Sequence, residues 1–154
     1  MRILITGGTG FIGKELQAHL EALGHQTRIL SRKNGWDIST GYLAEDAFEN
    51  IDAIVHLAGA GIADKRWTEE RKRELIHSRV ASTALLAEAL KTRKHQVRTF
   101  ISASAIGYYG ADSGEILCKE DTPAGHDFLS TCTVAWEQAA DEIPVYRVVK
   151  LRIG

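Results

Sequence analysis

Gly7, Gly10 and Gly13 follow the apolar run Ile3-Leu4-Ile5 at a spacing that suits the binding of a diphosphate. Each glycine meets a separate demand. At Gly7 the chain must turn sharply off a strand, where a Cβ would clash. At Gly10 a side chain would stand between the backbone and an incoming pyrophosphate. At Gly13 the new helix must pack closely on the strand it has just left. The first N–H groups of that helix lack intrahelical partners and sit at the positive end of its dipole, so they form an anion site. A glycine triplet also serves as a plain strand-to-helix turn. The strand before it, the amphipathic helix after it and a second strand on schedule favour the dinucleotide reading.

In dinucleotide folds the end of the second strand lies beside the adenosine ribose, and NAD binders usually carry an acid there. Here Leu30-Ser31-Arg32-Lys33 offers a hydroxyl and two cations and no carboxylate. Ser31 suits donation to a 2′-phosphate, and Arg32 suits binding it while stacking on adenine. NADP(H) is therefore expected in preference to NAD(H), which stays the alternative. The plainer reading makes Arg32 and Lys33 ordinary loop cations. Leu57, Ala58 and Gly59 end another strand at the sheet edge where such folds bind ligands. His56, inside that strand, reads as a buried, hydrogen-bonded residue rather than a proton shuttle.

The elements that must position these residues alternate strand and helix. That pattern predicts an α/β fold, a Rossmann-like doubly wound parallel sheet, in one domain over 1–154. Strands are expected over 2–6, 26–30, 53–57, 97–102 and 145–151, with a short third strand at 36–38 and a short helix at 43–48. Longer helices are expected over 11–23, 68–91 and 126–140. In the second of these, Ile76, Val80, Thr83, Ala87 and Leu90 form the buried stripe, and Glu69 through Arg73 form a solvated face. Cys132 falls on the apolar face of the third, as core rather than nucleophile. The loop 103–125 is long for a compact domain, a length often associated with function.

With 154 residues, 44% hydrophobic and 25% charged, the chain has the make-up of one ordinary globular domain. A formal net charge of −1 argues against nucleic acid or an anionic membrane as partner. No apolar run reaches the ~20 residues a membrane helix needs. Arg2 leads straight into a strand without a signal-peptide pattern. Cys118 and Cys132 have no metal spacing and form no CxxC, so a reducing, cytoplasmic location is expected. Asp112, Glu115, Glu120 and Asp121 read as solvated loop acids, and no metal is expected.

The G-x-x-G-x-x-G spacing resembles the short-chain dehydrogenase/reductase superfamily, most of all its extended, epimerase-type branch. Trp67-Thr68-Glu69-Glu70, Ser78-Arg79-Val80, the run Ser102-Ala103-Ser104-Ala105-Ile106-Gly107-Tyr108-Tyr109-Gly110, and Phe128-Leu129 through Trp136-Glu137 narrow it further. In order and spacing they resemble the bacterial epimerase family of atypical short-chain dehydrogenases. Some members carry the label sugar-nucleotide epimerase or cell-division inhibitor homologue. The resemblance implies an NADP(H)-binding oxidoreductase or epimerase acting on a sugar nucleotide or another small carbonyl or hydroxyl compound. It also implies that this chain is the cofactor half of a protein roughly twice as long, without the C-terminal substrate domain. The expected cofactor contacts are Gly7, Thr9, Gly10, Phe11, Ile12, Gly13, Ser31, Arg32, Asp37, Leu57, Ala58 and Gly59. Asp37 enters because Asp37-Ile38 resembles the pair that meets adenine in extended members. Superfamily members often pair into homodimers through their long helices, although no clear apolar patch marks the helices here.

Superfamily chemistry uses a Ser or Thr, a Tyr and a Lys, with an Asn in support; the Tyr phenol is the acid/base. Ser104 stands at the serine position, on the loop expected to leave the fifth strand. The Tyr-x-x-x-Lys positions hold Leu129 and Thr133, and Arg79 takes the Asn position. Tyr108 and Tyr109 share the loop with Ser104 and are the stand-in acid/base candidates. In the other reading they only pack around nicotinamide or substrate. The missing pair also sets a second functional reading, a catalytically silent NADPH-binding module whose partner contacts follow cofactor occupancy.

Overall fold

The computed structural model describes residues 1–112 and 114–154; Ser113, in the expected loop 103–125, lies outside the described residues. Five parallel strands form the main sheet: β1 (Arg2–Thr6), β2 (Gln26–Leu30), β5 (Ala53–His56), β6 (Thr99–Ala105) and β7 (Arg147–Ile153). Their order is β2-β1-β5-β6-β7. The chain runs outward from β1 to β2, then crosses back to build on the other side of β1. The carboxyl ends of β1 and β5 therefore mark the point where strand order reverses, which is where open α/β sheets bind ligands.

Helix α1 (Phe11–Ala22) covers one face, with Leu16 and Leu20 on Ile3, Ile5 and Val55. Gly24, at φ 80°, ends it. Helices α2 (Glu69–Thr92) and α3 (Phe128–Asp141) cover the other face. Leu86 and Leu90 of α2 pack there with Leu4, Ile54 and Phe100. Each such fully buried side chain contributes about 1.5–3 kcal/mol. Thr68 caps α2 by accepting from Arg71 N, and Asp127 caps α3 by accepting from Ser130 N.

Several elements differ from expectation. Residues 36–38 do not extend the parallel sheet. Strand β3 (Trp36–Asp37) pairs antiparallel with β4 (Tyr42–Leu43), with Trp36 opposite Leu43. The hairpin tucks both buried side chains against Ala47 and Phe48. No helix forms over 43–48. Its residues make successive i+3 turns, Ala47 N to Ala44 O and Glu49 N to Asp46 O, which leave the apolar spacing helix-like without i+4 bonds. Strands β6 and β7 lie about two residues later than expected, so Ser104 is in a strand and not on a loop. A 3-10 turn at Ile106–Tyr109 follows it.

On α2 the buried stripe runs through Leu75, Ser82, Thr83, Leu86 and Leu90, while Ile76 and Val80 are only half-buried. Thr83, Ala87 and Leu90 are buried as expected, and Ser82 is buried because it faces His56, a polar demand that apolar periodicity cannot register. Arg71, expected on a solvated face, is buried as well. The α1 face of the sheet stays uncovered over β7, where Leu151 and Ile153 are exposed. Among the described residues, no helix is long and apolar enough to cross a membrane.

Candidate dinucleotide cleft

The carboxyl ends of β1, β2 and β5 open into a cleft of about 560 Å³. Gly7, Thr9 and Gly10 line one side, Leu30, Ser31, Arg32, Trp36 and Ile38 another, and Leu57 through Gly61 a third. A hollow around Arg2, Gln26 and Asn50 lies at the opposite, amino edge of the sheet, away from the glycine turn.

Gly7 has φ 70°, and a Cβ there would stand 2.7 Å from the Leu57 carbonyl carbon. The turn can therefore lie directly on the end of β5 only if residue 7 is glycine. Gly13 is buried where the first turn of α1 meets Gly7 and Gly8. Gly10 N donates to Gly7 O at 3.0 Å, which closes the turn. No side chain caps α1 and no acid sits in its first turn. Thr68 and Asp127 cap the other two helices, so α1 presents its N-terminal amides and its dipole to the cleft. A helix end of this kind can take an anionic group.

After β2, Ser31 and Asn34 exchange backbone hydrogen bonds, which places Arg32 and Lys33 at the tip of a tight turn. Arg32 is exposed and lines the cleft. The Asp37 carboxylate accepts from Ser39 N and Ser39 Oγ, and these bonds hold it below the usual carboxylate range. Asp37 does not line the cleft; its neighbour Ile38 does. The backbone of Phe11, Ile12 and Gly13 forms the first turn of α1, with the Phe11 side chain 90% exposed.

The third wall is held from behind by α2. Ser78 Oγ accepts from Ala60 N at 3.1 Å. Arg79 lies against Gly59, stacks on Trp136 with its guanidinium 4.9 Å from the ring centroid, and donates to Leu75 O. Burial holds that guanidinium below its ordinary pKa. His56 is fully buried beneath the wall. Ser82 and Thr83 both donate to Arg79 O, so His56 Nε2–H donates to their oxygens and Nδ1 accepts from Thr6 Oγ1 at 2.7 Å. Burial pushes its pKa down to about 3, which keeps it neutral.

Ser104, Tyr108 and Tyr109 gather at the ends of β6 and β7, outside the lining of this cleft. Ser104 is buried, and its hydroxyl donates to Glu137 Oε1 at 2.5 Å. Glu137 takes a bidentate pair from Arg152, Nε to Oε1 at 2.8 Å and Nη2 to Oε2 at 2.9 Å. Arg152 Nη1 donates to Tyr109 Oη at 2.8 Å, and Tyr109 donates to Lys119 O. The Arg152 guanidinium lies 3.5 Å from the Tyr108 ring centroid. Desolvation pushes the Glu137 carboxyl up, but the hydrogen bonds from Arg152 and Ser104 outweigh it and hold it below the usual range. The Glu137 bond in turn raises the pKa of Arg152.

One network thus joins the three side chains. Sequence reasoning missed Glu137 and Arg152, which are 15 residues apart and meet only because α3 lies over β7. Leu129 and Thr133 face Gly107 on the 3-10 turn, where a Cβ would stand 3.3 Å from Leu129 Cβ. Cys132 is buried, which pushes its thiol pKa up against the opposing charge of Arg79. Among the described residues no cluster of three or more His, Cys, Asp or Glu side chains is placed to hold a metal ion.

Known proteins share this fold. YfhF of Bacillus subtilis, an epimerase family protein, is 34% identical over 167 residues, covering 100% of this chain and 54% of YfhF. The crystal structure of human epimerase family protein SDR39U1 with NADPH superposes with a TM-score of 0.80 at 34% identity, covering 99% of this chain and 53% of that one. A nucleoside-diphosphate sugar epimerase from Corynebacterium glutamicum gives a TM-score of 0.81 at 35% identity, covering 99% of this chain and 33% of that one. The chain spans about half the length of the curated relatives it matches. Residues 3–133 match the NAD dependent epimerase/dehydratase family, and the chain belongs to that family.

Proposed function

We propose that this chain binds NADP(H) in preference to NAD(H) and forms the cofactor part of an oxidoreductase or epimerase. Its substrate class would be a sugar nucleotide or another small carbonyl or hydroxyl compound. One observation carries the reading: the uncapped N-terminus of α1 and the Ser31-Arg32 turn line the same cleft, with no acid at the end of β2. The SDR39U1 structure with NADPH supports it. The amides of Phe11, Ile12 and Gly13 and the glycine turn hold the pyrophosphate. Ser31 and Arg32 hold the 2′-phosphate. Asp37, fixed by Ser39, presents Ile38 to the adenine, and Leu57, Ala58 and Gly59 close the opposite side.

A nicotinamide bound there supplies hydride transfer. Tyr108 or Tyr109 exchanges a proton with the substrate oxygen, and Ser104 orients that oxygen once its hydroxyl leaves Glu137. Incubating the protein with NADPH and small carbonyl compounds, and with NADP+ and a panel of nucleotide sugars and small hydroxyl compounds, tests this. Oxidation of NADPH by a carbonyl, reduction of NADP+ by a hydroxyl compound, or an epimerised sugar without net change of the cofactor is expected, and Tyr109→Phe or Tyr108→Phe abolishes it. Turnover untouched by both changes together would remove the tyrosines from the reaction.

The packing of Leu129 and Thr133 against Gly107 favours a second reading, a cofactor-responsive binding module. Neither side chain transfers protons at neutral pH, and the 3-10 turn covers the helix face where such a pair would stand. Tight NADPH binding with no turnover across the panel is the result that selects it.

A further inference from the structure

Arg71 belongs to the run Glu69-Glu70-Arg71-Lys72-Arg73, yet it is 6% exposed and lines the cleft. Its guanidinium donates from Nη2 to Gly61 O at 2.6 Å and from Nη1 to Glu74 Oε2 at 2.6 Å. Asp64 Oδ2 lies 3.8 Å from Nη2. Nε is buried and, among the described residues, has no acceptor. A buried guanidinium is costly unless its charge and its donors are matched. Here one donor is unmatched, and both neutralising acids belong to the surface: the Asp64 and Glu74 side chains are 68% and 53% exposed. Ion pairs with exposed carboxylates are weak and readily exchanged in water. Lys65 adds a second cation to the same wall. The opposite side of the cleft is the glycine turn and Arg32.

We propose that Arg71 is a further phosphate-binding residue of this cleft, releasing Asp64 to bind an anionic phosphate oxygen of the dinucleotide. The inference rests on the reading of the cleft as a dinucleotide site. A planar guanidinium with five donors suits this exchange, since it can keep Gly61 O while offering other N–H groups to phosphate. The oxygen belongs either to the pyrophosphate or to the 2′-phosphate, and the two cofactors tell these apart.

The test is a fluorescence titration of the unchanged chain, Arg71→Gln, Asp64→Asn and the double variant with NADPH and with NADH. Arg71→Gln is expected to weaken binding about tenfold or more. A loss with NADPH alone assigns the 2′-phosphate, and a loss with both assigns the pyrophosphate. Asp64→Asn is expected to tighten binding severalfold, and only while Arg71 is present, a coupling that the double variant measures. Unaltered affinity of Arg71→Gln for both cofactors overturns the assignment of Arg71 while leaving the cleft's reading intact. Failure of the unchanged chain to bind either cofactor overturns both. If Arg71→Gln does not fold, Asp64→Asn decides: tighter binding supports the exchange, and unaltered or weaker binding overturns it.

Discussion

Gly7 combines a φ of 70° with a backbone neighbour 2.7 Å from where a Cβ would lie. Gly7→Ala is therefore expected to lower stability by about 1–3 kcal/mol from backbone conformation alone, read by urea unfolding, and to weaken dinucleotide binding further. An unfolding midpoint equal to that of the unchanged chain would show that the turn relaxes at no cost. Arg32 makes the opposite kind of contribution, since it is exposed at the tip of a turn. Arg32→Ala is expected to leave stability unchanged and to cost about 1.5–3 kcal/mol of NADPH affinity, the worth of a charged hydrogen bond. NADH affinity should barely move, and equal losses for both cofactors would show that Arg32 does not read the 2′-phosphate. The glycine turn was legible in the sequence because local backbone geometry alone dictates it. Arg71 was not, because charge runs on helices are usually solvated. Its position four residues before the buried Leu75 was the available signal, an arginine on the apolar stripe.

Two polar links tie the elements together. His56 connects β5 to Thr6 of β1 and to Ser82 and Thr83 of α2. Unfolded histidine takes up a proton near pH 6.5, whereas buried His56 resists until about pH 3. Below pH 6.5 the unfolded state thus binds the extra proton, and stability falls as pH drops through this window, by about 1.4 kcal/mol per unit. His56→Asn should flatten the decline between pH 6.5 and 4.5, above the range where the depressed carboxylates act. An unchanged slope would place the acid sensitivity elsewhere. Glu137 and Arg152 connect α3 to β7, with side chains 6% and 17% exposed. Glu137→Gln leaves the guanidinium uncompensated and is expected to cost about 3–5 kcal/mol. Adding Arg152→Met should restore part of that in thermal unfolding, and a double variant no more stable than Glu137→Gln would contradict the pairing.

The main strands and helices were legible because long periodic runs record burial directly. The 36–51 segment was not. Its apolar residues are buried by a hairpin and successive turns, whose spacing imitates a strand and a helix. The strand shift at β6 has a consequence for the site: it moves Ser104 from a loop into the sheet, where its hydroxyl meets α3.

At the scale of the molecule, one asymmetry organises the cleft. The order β2-β1-β5-β6-β7 puts the uncapped helix, the basic turn and the α2-supported wall around a single switch point. Alternation of strand and helix made a parallel sheet with a ligand-binding carboxyl edge readable in the sequence, whereas the strand order and the support from α2 come from the structure. The Ser104-Glu137-Arg152-Tyr109 network was not, because it joins residues that only the packing of α3 over β7 brings together. The α1 face over β7 carries Leu151 and Ile153 uncovered, in a chain about half as long as its curated relatives. The measurement closest to the central claim is a thermal-unfolding titration with NADPH and NADH in parallel. Ligand at about a hundredfold excess over its Kd adds ~2.7 kcal/mol. Stabilisation of that order by NADPH, with little or none from NADH at the same concentration, is the expected result. An equal or larger response to NADH, or no response to either, would contradict the account.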